Sequence, residues 1–291
     1  MLVTGAGGML ARDILAARGD HELVGLTRAE LDVTDAAACR AAVAGFDAVI
    51  NCAAFTAVDE AESNERAAYA VNATGAQNLA LAAHAAGAVL VQISTDYVFD
   101  GTATNPYRED AELSPLGAYG RTKAAGESLA LAAHEETVIV RVAWLYGMHG
   151  RNFVTTMLRL ADERETVSVV TDQRGQPTST TEAAASILAL LDAGIRRGTF
   201  HATCTGETTW HGLARATFAL AGLDPERVLP VTSAEFPRPA PRPAFSVLDH
   251  SAIRTIRAPA LWEDALRREL ARMGALAEGN PGDDRTTSDP R

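Results

Sequence analysis

The sequence predicts an α/β fold, a doubly wound parallel sheet with a smaller C-terminal lobe. Three observations carry this. Short β-branched runs alternate with longer alanine-rich segments. The strand runs are apolar throughout rather than alternating, as strands covered on both faces are. The chain has 291 residues and 47% hydrophobic content, enough for a sizeable core.

The strand candidates in order are "LVTG", "ELVGLT", "DAVINCA", "VLVQIS" and "TVIVRVAWLYG". Helices are expected between them at about Met9–Arg18, Asp35–Ala44, Glu65–Ala86 and Ala118–His134. Alanine is the best helix former, and segments such as "ALAAHAAGA" suit that role. These elements make residues 1–150 a nucleotide-binding sheet domain. After that the alternation loosens. A helix near Phe153–Glu165, the run "VSVV" and the loop "TDQRGQPT" come first. "STTE", Ser179 to Glu182, has capping-box spacing for a helix reaching about Leu191. "GTFHAT", a helix near His211–Ala221 and the proline-rich "EFPRPAPRPAFS" follow. Residues 151–277 are therefore expected to form mainly a substrate-binding lobe, with segments returning to the sheet. That lobe would cover the carboxyl ends of the strands, where ligands bind in open α/β sheets. The tail 278–291, "EGNPGDDRTTSDPR", lacks apolar residues and is expected to be disordered.

The formal charge is −11, which argues against nucleic acid and against anionic membranes as partners. No run approaches the roughly 20 apolar residues that span a bilayer. "MLVTGAGG" has no basic region before its apolar residues, so a cytoplasmic protein is expected. Three scattered cysteines, Cys39, Cys52 and Cys204, fit neither a disulfide framework nor a zinc site.

"VTGAGGMLA" places Gly5, Gly8 and Ala11 in G-x-x-G-x-x-A spacing between a strand and a helix. Glycine permits the tight turn and close backbone approach to a pyrophosphate, and the helix N-terminus offers free N–H groups. This is the Rossmann-type arrangement. The second strand ends "GLTRAELD", with Arg28 where NAD-preferring folds usually place an acid. A guanidinium there suits a 2′-phosphate, which favours NADPH and leaves NADH as the alternative. Asp32 and Val33 follow, where an adenine edge could be met.

"YGRTK" spaces Tyr119 and Lys123 by four residues, one face of a helix. A tyrosine with an ordinary pKa of about 10 is a poor acid–base, and a cation one turn away moves it toward working range. Thr95 ends the fourth strand, where its hydroxyl can donate to a substrate carbonyl. The expected chemistry is hydride from a nicotinamide and a proton from Tyr119.

The glycine turn, the hydroxyl and the Y-x-x-x-K resemble the extended short-chain dehydrogenases/reductases. "INCAAFTAVDEAE", "STDYVFDG", "SPLGAYGRTKAAGE", "RVAWLYG", "GRNFVTTMLRLA", "DQRGQPT" and "TTWHGLARATF" narrow the resemblance to the dTDP-4-dehydrorhamnose reductase family, over residues 2–272. The resemblance implies reduction of the 4-keto group of a dTDP-4-keto-6-deoxy sugar by a monomer or homodimer. It implies Tyr119 as proton donor, Lys123 as the ribose-holding lysine and Thr95 as the hydroxyl that tunes the carbonyl. It places Gly8, Met9 and Leu10 on the pyrophosphate, and Ala53, Ala54 and Thr56 along the cofactor. Asp96 and Trp144 match substrate contacts. Two alternatives remain: a reductase of another dTDP-deoxysugar, of the streptose-like antibiotic type, or a non-catalytic regulatory homologue.

The sequence departs from the family in places. Ala11 replaces the third glycine, and Phe55 stands where many relatives have tyrosine. Some relatives have magnesium linking a dimer. Here the position after "GQPT" reads Ser179, Thr180, Thr181, with Glu182 one step off, so no metal site is expected. Trp144 has a core tryptophan as its plain alternative. His201 is expected to be a hydrogen-bonded structural histidine and Cys52 a small buried thiol. His84 and His134 end helices, where a cation suits the dipole. Arg238 and Arg242 could meet a diphosphate or form a rigid surface loop.

Overall fold

The computed structural model describes residues 1–17 and 19–277, so the expected tail 278–291 lies outside the described residues. In chain order the first half comprises β1 (Leu2–Thr4), α1 (Met9–Ala16), β2 (Val24–Leu26), α2 (Ala36–Val43), β3 (Ala48–Asn51), α3 (Val58–Ser63) and α4 (Glu65–Tyr69). A π-turn over Ala70–Thr74, α5 (Gly75–Ala86), β4 (Val89–Thr95), α6 (Ala118–Ala133), β5 (Thr137–Val142) and β6 (Leu145–Tyr146) follow. The second half holds α7 (Phe153–Glu163), β7 (Val167–Val170), β8 (Arg174–Gly175), β9 (Thr178–Ser179), α8 (Thr180–Asp192), β10 (Gly198–His201), β11 (Thr208–Thr209) and α9 (Trp210–Leu220). It closes with β12 (Val228–Val231), α10 (Ser251–Arg254) and α11 (Trp262–Arg272).

Six parallel strands form the sheet in the order β10-β5-β4-β3-β1-β2. Strand order reverses between β1 and β3, and that is where a crevice opens in a doubly wound sheet. Residues of α1 and α8 pack on one face, through Leu10, Ile14, Ala183 and Ile187. Residues of α2, α5 and α6 cover the other, through Cys39, Val43, Leu79 and Ala130. β4 and β5 are buried along their whole length, as their unbroken apolar runs require. "GTFHAT" supplies β10, which pairs with β5 and extends the sheet. "TVIVRVAWLYG" is not one strand. It breaks at Ala143-Trp144, where Trp144 takes a left-handed φ of 46°, and β6 then pairs with β9 outside the sheet. The other lobe elements gather round Tyr146, Val154, Leu213 and Leu266, and round Met157, Val169, Phe218 and Val228.

The helix expected over Glu65–Ala86 forms, with a π-turn in its middle. The turn aims Asn72 two ways. Its Oδ1 accepts from the Phe55 amide at 2.8 Å, and its Nδ2 donates to the Phe55 carbonyl at 3.1 Å and to Thr122 Oγ1 at 3.0 Å. One bulged residue thus fastens the loop after β3 to α6. Ser179 caps α8 by accepting from the Glu182 amide, while the Glu182 carboxylate turns away to Arg257 and Arg268. Only half of the capping box forms. His84 in the last turn of α5 and His134 at the C-cap of α6 meet each other. Their Nδ1 atoms lie 3.3 Å apart, within hydrogen-bond reach of each other, and His134 Nε2 donates to the Ala88 carbonyl.

α6 has little amphipathic character and buries Lys123, Glu127, Gly120 and Gly126. A Cβ at Gly126 would stand 2.2 Å from the Asn72 carbonyl oxygen. On an exposed helix, glycine to alanine adds roughly 1 kcal/mol of stability. Here Gly126→Ala is expected to remove about 2 kcal/mol, the usual scale of overpacking, read from the denaturant midpoint. A midpoint at or above that of the wild type would show that α6 does not sit hard against the π-turn.

Candidate active site

The crevice between β1 and β3 opens into a cleft of about 1000 Å³. Gly5 ends β1 with a φ of +65°, and a Cβ there would lie 2.7 Å from the Ala53 amide nitrogen. Only glycine lets the two strand ends approach this closely. Gly8 is the N-cap of α1, with no side chain to cap the first turn, so the helix N–H groups face the cleft unclaimed. The cleft is lined by Gly5, Gly8, Met9, Leu10, Arg28, Asp32, Val33, Ala53, Ala54, Thr56, Tyr119 and Lys123. Residues 5 to 123 are thereby brought to one wall. Arg28 is exposed at the rim, and Val33 is buried. Asp32 accepts from the Thr34 amide and hydroxyl, which hold its carboxyl below the usual range. Phe55 also lines the cleft and packs with Tyr119 near Ala61, Ala68 and Ala118.

Tyr119, partly exposed to the cleft, is surrounded by protein, and that burial pushes its phenol up to about 12. The Thr95 hydroxyl beside it pulls the other way, and Asp96 adds to the rise. Lys123, one turn on, is 4% exposed and donates to the Ile93 carbonyl at 2.5 Å. Burial pulls its ammonium down to about 8, against the charge of Glu127. Lys123 is also the only lysine in the chain, the other 25 of the 26 Lys and Arg residues being arginine. A residue count finds this, whereas motif spacing does not. Cys52 lines the cleft as a thiol pushed up to about 12 by burial, which leaves it protonated and inert.

Thr95 and Asp96 stand behind Tyr119 rather than on the cleft wall. Thr95 Oγ1 donates to Asp96 Oδ1 at 2.9 Å and accepts from the Tyr97 amide at 3.3 Å. Its one proton is therefore held by Asp96, and donation to a substrate carbonyl requires the hydroxyl to rotate. Asp96 is 2% exposed and has an Oδ2 with no partner among the described residues, beside the equally unpartnered Ser246 Oγ. Burial pushes its carboxyl up to about 6, against the Ser246 and Thr95 hydroxyls. Trp144 lies under the lobe, stacked on Trp210 at 3.6 Å and 6°. A Cβ at Gly175 would lie 2.4 Å from the Trp144 ring. Trp210 carries that stack to a second cleft of about 720 Å³, lined also by Tyr97, Phe153, Arg164, Phe236, Arg238 and Arg242. Tyr97 meets Tyr119 edge to face at 5.6 Å, so this cleft adjoins the first across a pair of tyrosines. Arg242 donates to Asp59 at 2.9 Å, and Arg238 lies over Phe236. Sequence reasoning passed over Phe153 and Trp210. The available signal was two aromatics in a chain with only 5% of them.

His201 is fully buried and pulled down to about 3 by burial and by Arg141, so it is neutral. The acidic residues that meet Thr180 and Thr181, Asp13 and Glu269, are taken by arginine. Arg272 donates to Asp13 at 2.8 Å and to both oxygens of Glu269 at 2.9 Å. Glu269 also accepts from the Met148 amide, and Thr180 Oγ1 donates to Asp13. Among the described residues no three His, Cys, Asp or Glu groups converge on a metal position. A donor set already committed to a guanidinium does not fit a divalent ion.

The match to known proteins agrees with this geometry. The RmlD substrate binding domain model matches residues 1–275. The chain belongs to the RmlD family. It is 52% identical to the dTDP-4-dehydrorhamnose reductase of Streptomyces griseus, over 97% of this chain and 96% of the relative. It is 48% identical to the dTDP-4-keto-6-deoxy-D-glucose reductase of Streptomyces niveus, over 94% and 97%. Among solved RmlD-family structures, the dTDP-4-dehydrorhamnose reductase of Bacillus anthracis in complex with NADP aligns with a TM-score of 0.90 at 37% identity, over 93% of this chain and 98% of that one.

The Asp96 carboxyl makes stability depend on pH. Its ordinary value is 3.8 and its folded value about 6. Below the first, both states hold the proton and Asp96 carries no penalty. As pH rises through about 6, the folded protein must bury the charge and stability falls. Asp96→Asn has no such proton. Relative to the wild type it is expected to gain about 2–3 kcal/mol between acid and neutral pH. Equal differences between the two proteins at about pH 4 and about pH 7.5, by urea midpoint, would refute the assignment.

Proposed function

We propose that the protein is an NADPH-dependent reductase that converts dTDP-4-dehydro-6-deoxy-L-mannose (dTDP-4-dehydrorhamnose) to dTDP-L-rhamnose, acting in the cytoplasm. The observation that carries this reading is the single cleft running from the Gly5 turn to Tyr119 and Lys123. The name of the Streptomyces griseus relative and the NADP bound by the Bacillus anthracis enzyme support it.

The Gly5 turn and the uncapped N-terminus of α1 would hold the pyrophosphate, with Gly8, Met9 and Leu10 around it. Arg28 at the rim would meet the 2′-phosphate, Asp32 and Val33 the adenine end, and Ala53, Ala54 and Thr56 the middle. When bound, the dinucleotide supplies a hydride to the substrate's carbonyl carbon. Tyr119 gives its phenolic proton to the carbonyl oxygen and is left a phenolate, which the Lys123 ammonium stabilises. Thr95 sits within reach of the Tyr119 hydroxyl and steadies that proton. Asp96 orients Thr95, and Trp144 acts on the sugar side by backing Trp210. Arg164, Arg238 and Arg242 give the second cleft the cations that a nucleoside diphosphate needs, and Trp210 offers a flat face to a base. The reading needs no metal-linked dimer, because Arg272 neutralises the acidic cluster within one chain.

Reduction of a different dTDP-4-keto sugar is a second reading, favoured by the Streptomyces niveus relative. The second cleft reads the sugar nucleotide and is built by the lobe rather than by the catalytic helix. A purely regulatory role would leave the Tyr119–Lys123 pair on the cleft wall without a task.

The test combines the purified protein, dTDP-4-keto-6-deoxyglucose with its matching epimerase, a chelator, and NADPH or NADH. Reduced nicotinamide is expected to be consumed only when the keto-sugar is present, faster with NADPH and undiminished by the chelator. No consumption with either cofactor would overturn the reading. Tyr119→Phe is expected to lower kcat at least about 100-fold, the usual worth of general acid catalysis. Turnover close to that of the wild type would remove Tyr119 from the proton-transfer step.

A further inference from the structure

Beneath the catalytic face of α6 lies a buried set of charges that the reaction above does not use. Glu127 is 3% exposed and stands one turn beyond Lys123. Tyr119, Lys123 and Glu127 are four residues apart in turn, so they share one helix face. The Glu127 carboxylate accepts from Arg141 Nε at 3.0 Å, from an Arg141 terminal nitrogen at 2.7 Å, and from Ser94 Oγ. The other terminal nitrogen of Arg141 donates to the Glu109 carbonyl at 3.1 Å and faces His201 Nε2 at 3.3 Å. His201 accepts there and donates from Nδ1 to the Asp249 carbonyl at 2.5 Å, so it is neutral. The groups around Lys123 are few. Cys52 faces it from the end of β3 and is a neutral thiol. β4 presents the Ile93 carbonyl and Ser94, the π-turn presents neutral Asn72 by way of Thr122, and α6 itself presents Tyr119 and Glu127.

This leaves two buried cations, Lys123 and Arg141, and one buried anion, Glu127, which is paired with Arg141 and stands one helical turn from Lys123. Arg141 keeps its charge at any working pH. Lys123 is the member that can lose its proton, and it faces the cleft. Burial in this site already pulls the ammonium down to about 8, and the Glu127 charge is what opposes the fall.

We propose that Glu127 is a positioning residue for Lys123: its carboxylate keeps the chain's only lysine a cation aimed at the cleft, and its sharing with Arg141 sets the pH range over which that cation survives. The consequence for the reaction rests on the dinucleotide reading of the cleft. The titration itself does not, because it is measured on the protein alone.

The single lysine makes the test direct. Protein labelled with ¹³C-lysine gives one Cε resonance, whose shift against pH reports the Lys123 midpoint without cofactor or substrate. In Glu127→Gln the midpoint is expected to move down by about one pH unit or more. In Arg141→Met the carboxylate acts on Lys123 alone, and the midpoint is expected to move up. Glu127→Asp, which keeps the charge, is expected to restore most of the wild-type value. The alkaline loss of NADPH affinity should shift with the midpoint in each variant. A purely structural Glu127 would lower the melting temperature and leave the midpoint in place, and an unmoved midpoint in folded Glu127→Gln overturns the proposal. If that variant does not fold, a downward or absent shift in Arg141→Met overturns it instead. A wild-type midpoint at or above about 10.4, the ordinary lysine value, overturns it with no variant at all. Should NADPH fail to bind while the midpoints shift as stated, the dinucleotide reading falls and the role of Glu127 stands.

Discussion

The ion pair between Glu127 of α6 and Arg141 of β5 is the contact on which the site rests. Both residues are buried, at 3% and 4% exposure, and burying two charges costs several kcal/mol for each ion unless every donor and acceptor is met. Here they are met. Three donors fill the carboxylate, and the spare guanidinium N–H groups reach a carbonyl and a neutral histidine. A network satisfied to this degree admits one arrangement. It ties α6 to β5 directly, to β4 through Ser94, and to β10 through His201. With Glu127 held down, the residues four and eight positions earlier can only face the cleft.

Close backbone contacts set the remaining geometry. Gly5 lets β1 meet the end of β3, Gly126 lets α6 lie on the π-turn, and Gly120 lets α6 pass the Tyr97 carbonyl, which a Cβ would approach to 2.1 Å. Each contact draws a functional segment toward the same crevice. The lobe is joined by charge as well as by packing. Arg272 of α11 bridges Asp13 on α1 and Glu269 on its own helix, so the last helix is fastened to the helix that follows the glycine turn. The lobe's aromatic stack of Trp144, Trp210 and Phe153 then faces the tyrosine pair across the second cleft.

Much of this was legible in the residues. The glycine turn is local chemistry, because a left-handed φ at Gly5 and an uncapped helix start need only neighbours in sequence. The strands of the sheet are readable for the same reason, since β4 and β5 are apolar runs with no competing period. Tyr119 and Lys123 follow from the helical repeat. Less was legible where partners are remote. Nothing near Thr95 says that its proton goes to Asp96, nothing near Trp144 says that its backbone breaks the strand there, and nothing near Glu182 says that two arginines draw its carboxylate off the cap.

The sequence by itself determined the sheet, its helical cover, the glycine turn and the helix face that carries Tyr119 and Lys123, because each depends on residues within a few positions of one another. Only the tertiary structure decided that Glu127 would be a buried anion under Lys123, that Arg272 would occupy the acidic cluster, and that Trp144 would back Trp210 rather than line a cleft. Those outcomes turn on side chains from 14 to 259 residues apart meeting in a low-dielectric interior. There a charge takes its state from whichever partner the fold delivers, and no local pattern names that partner.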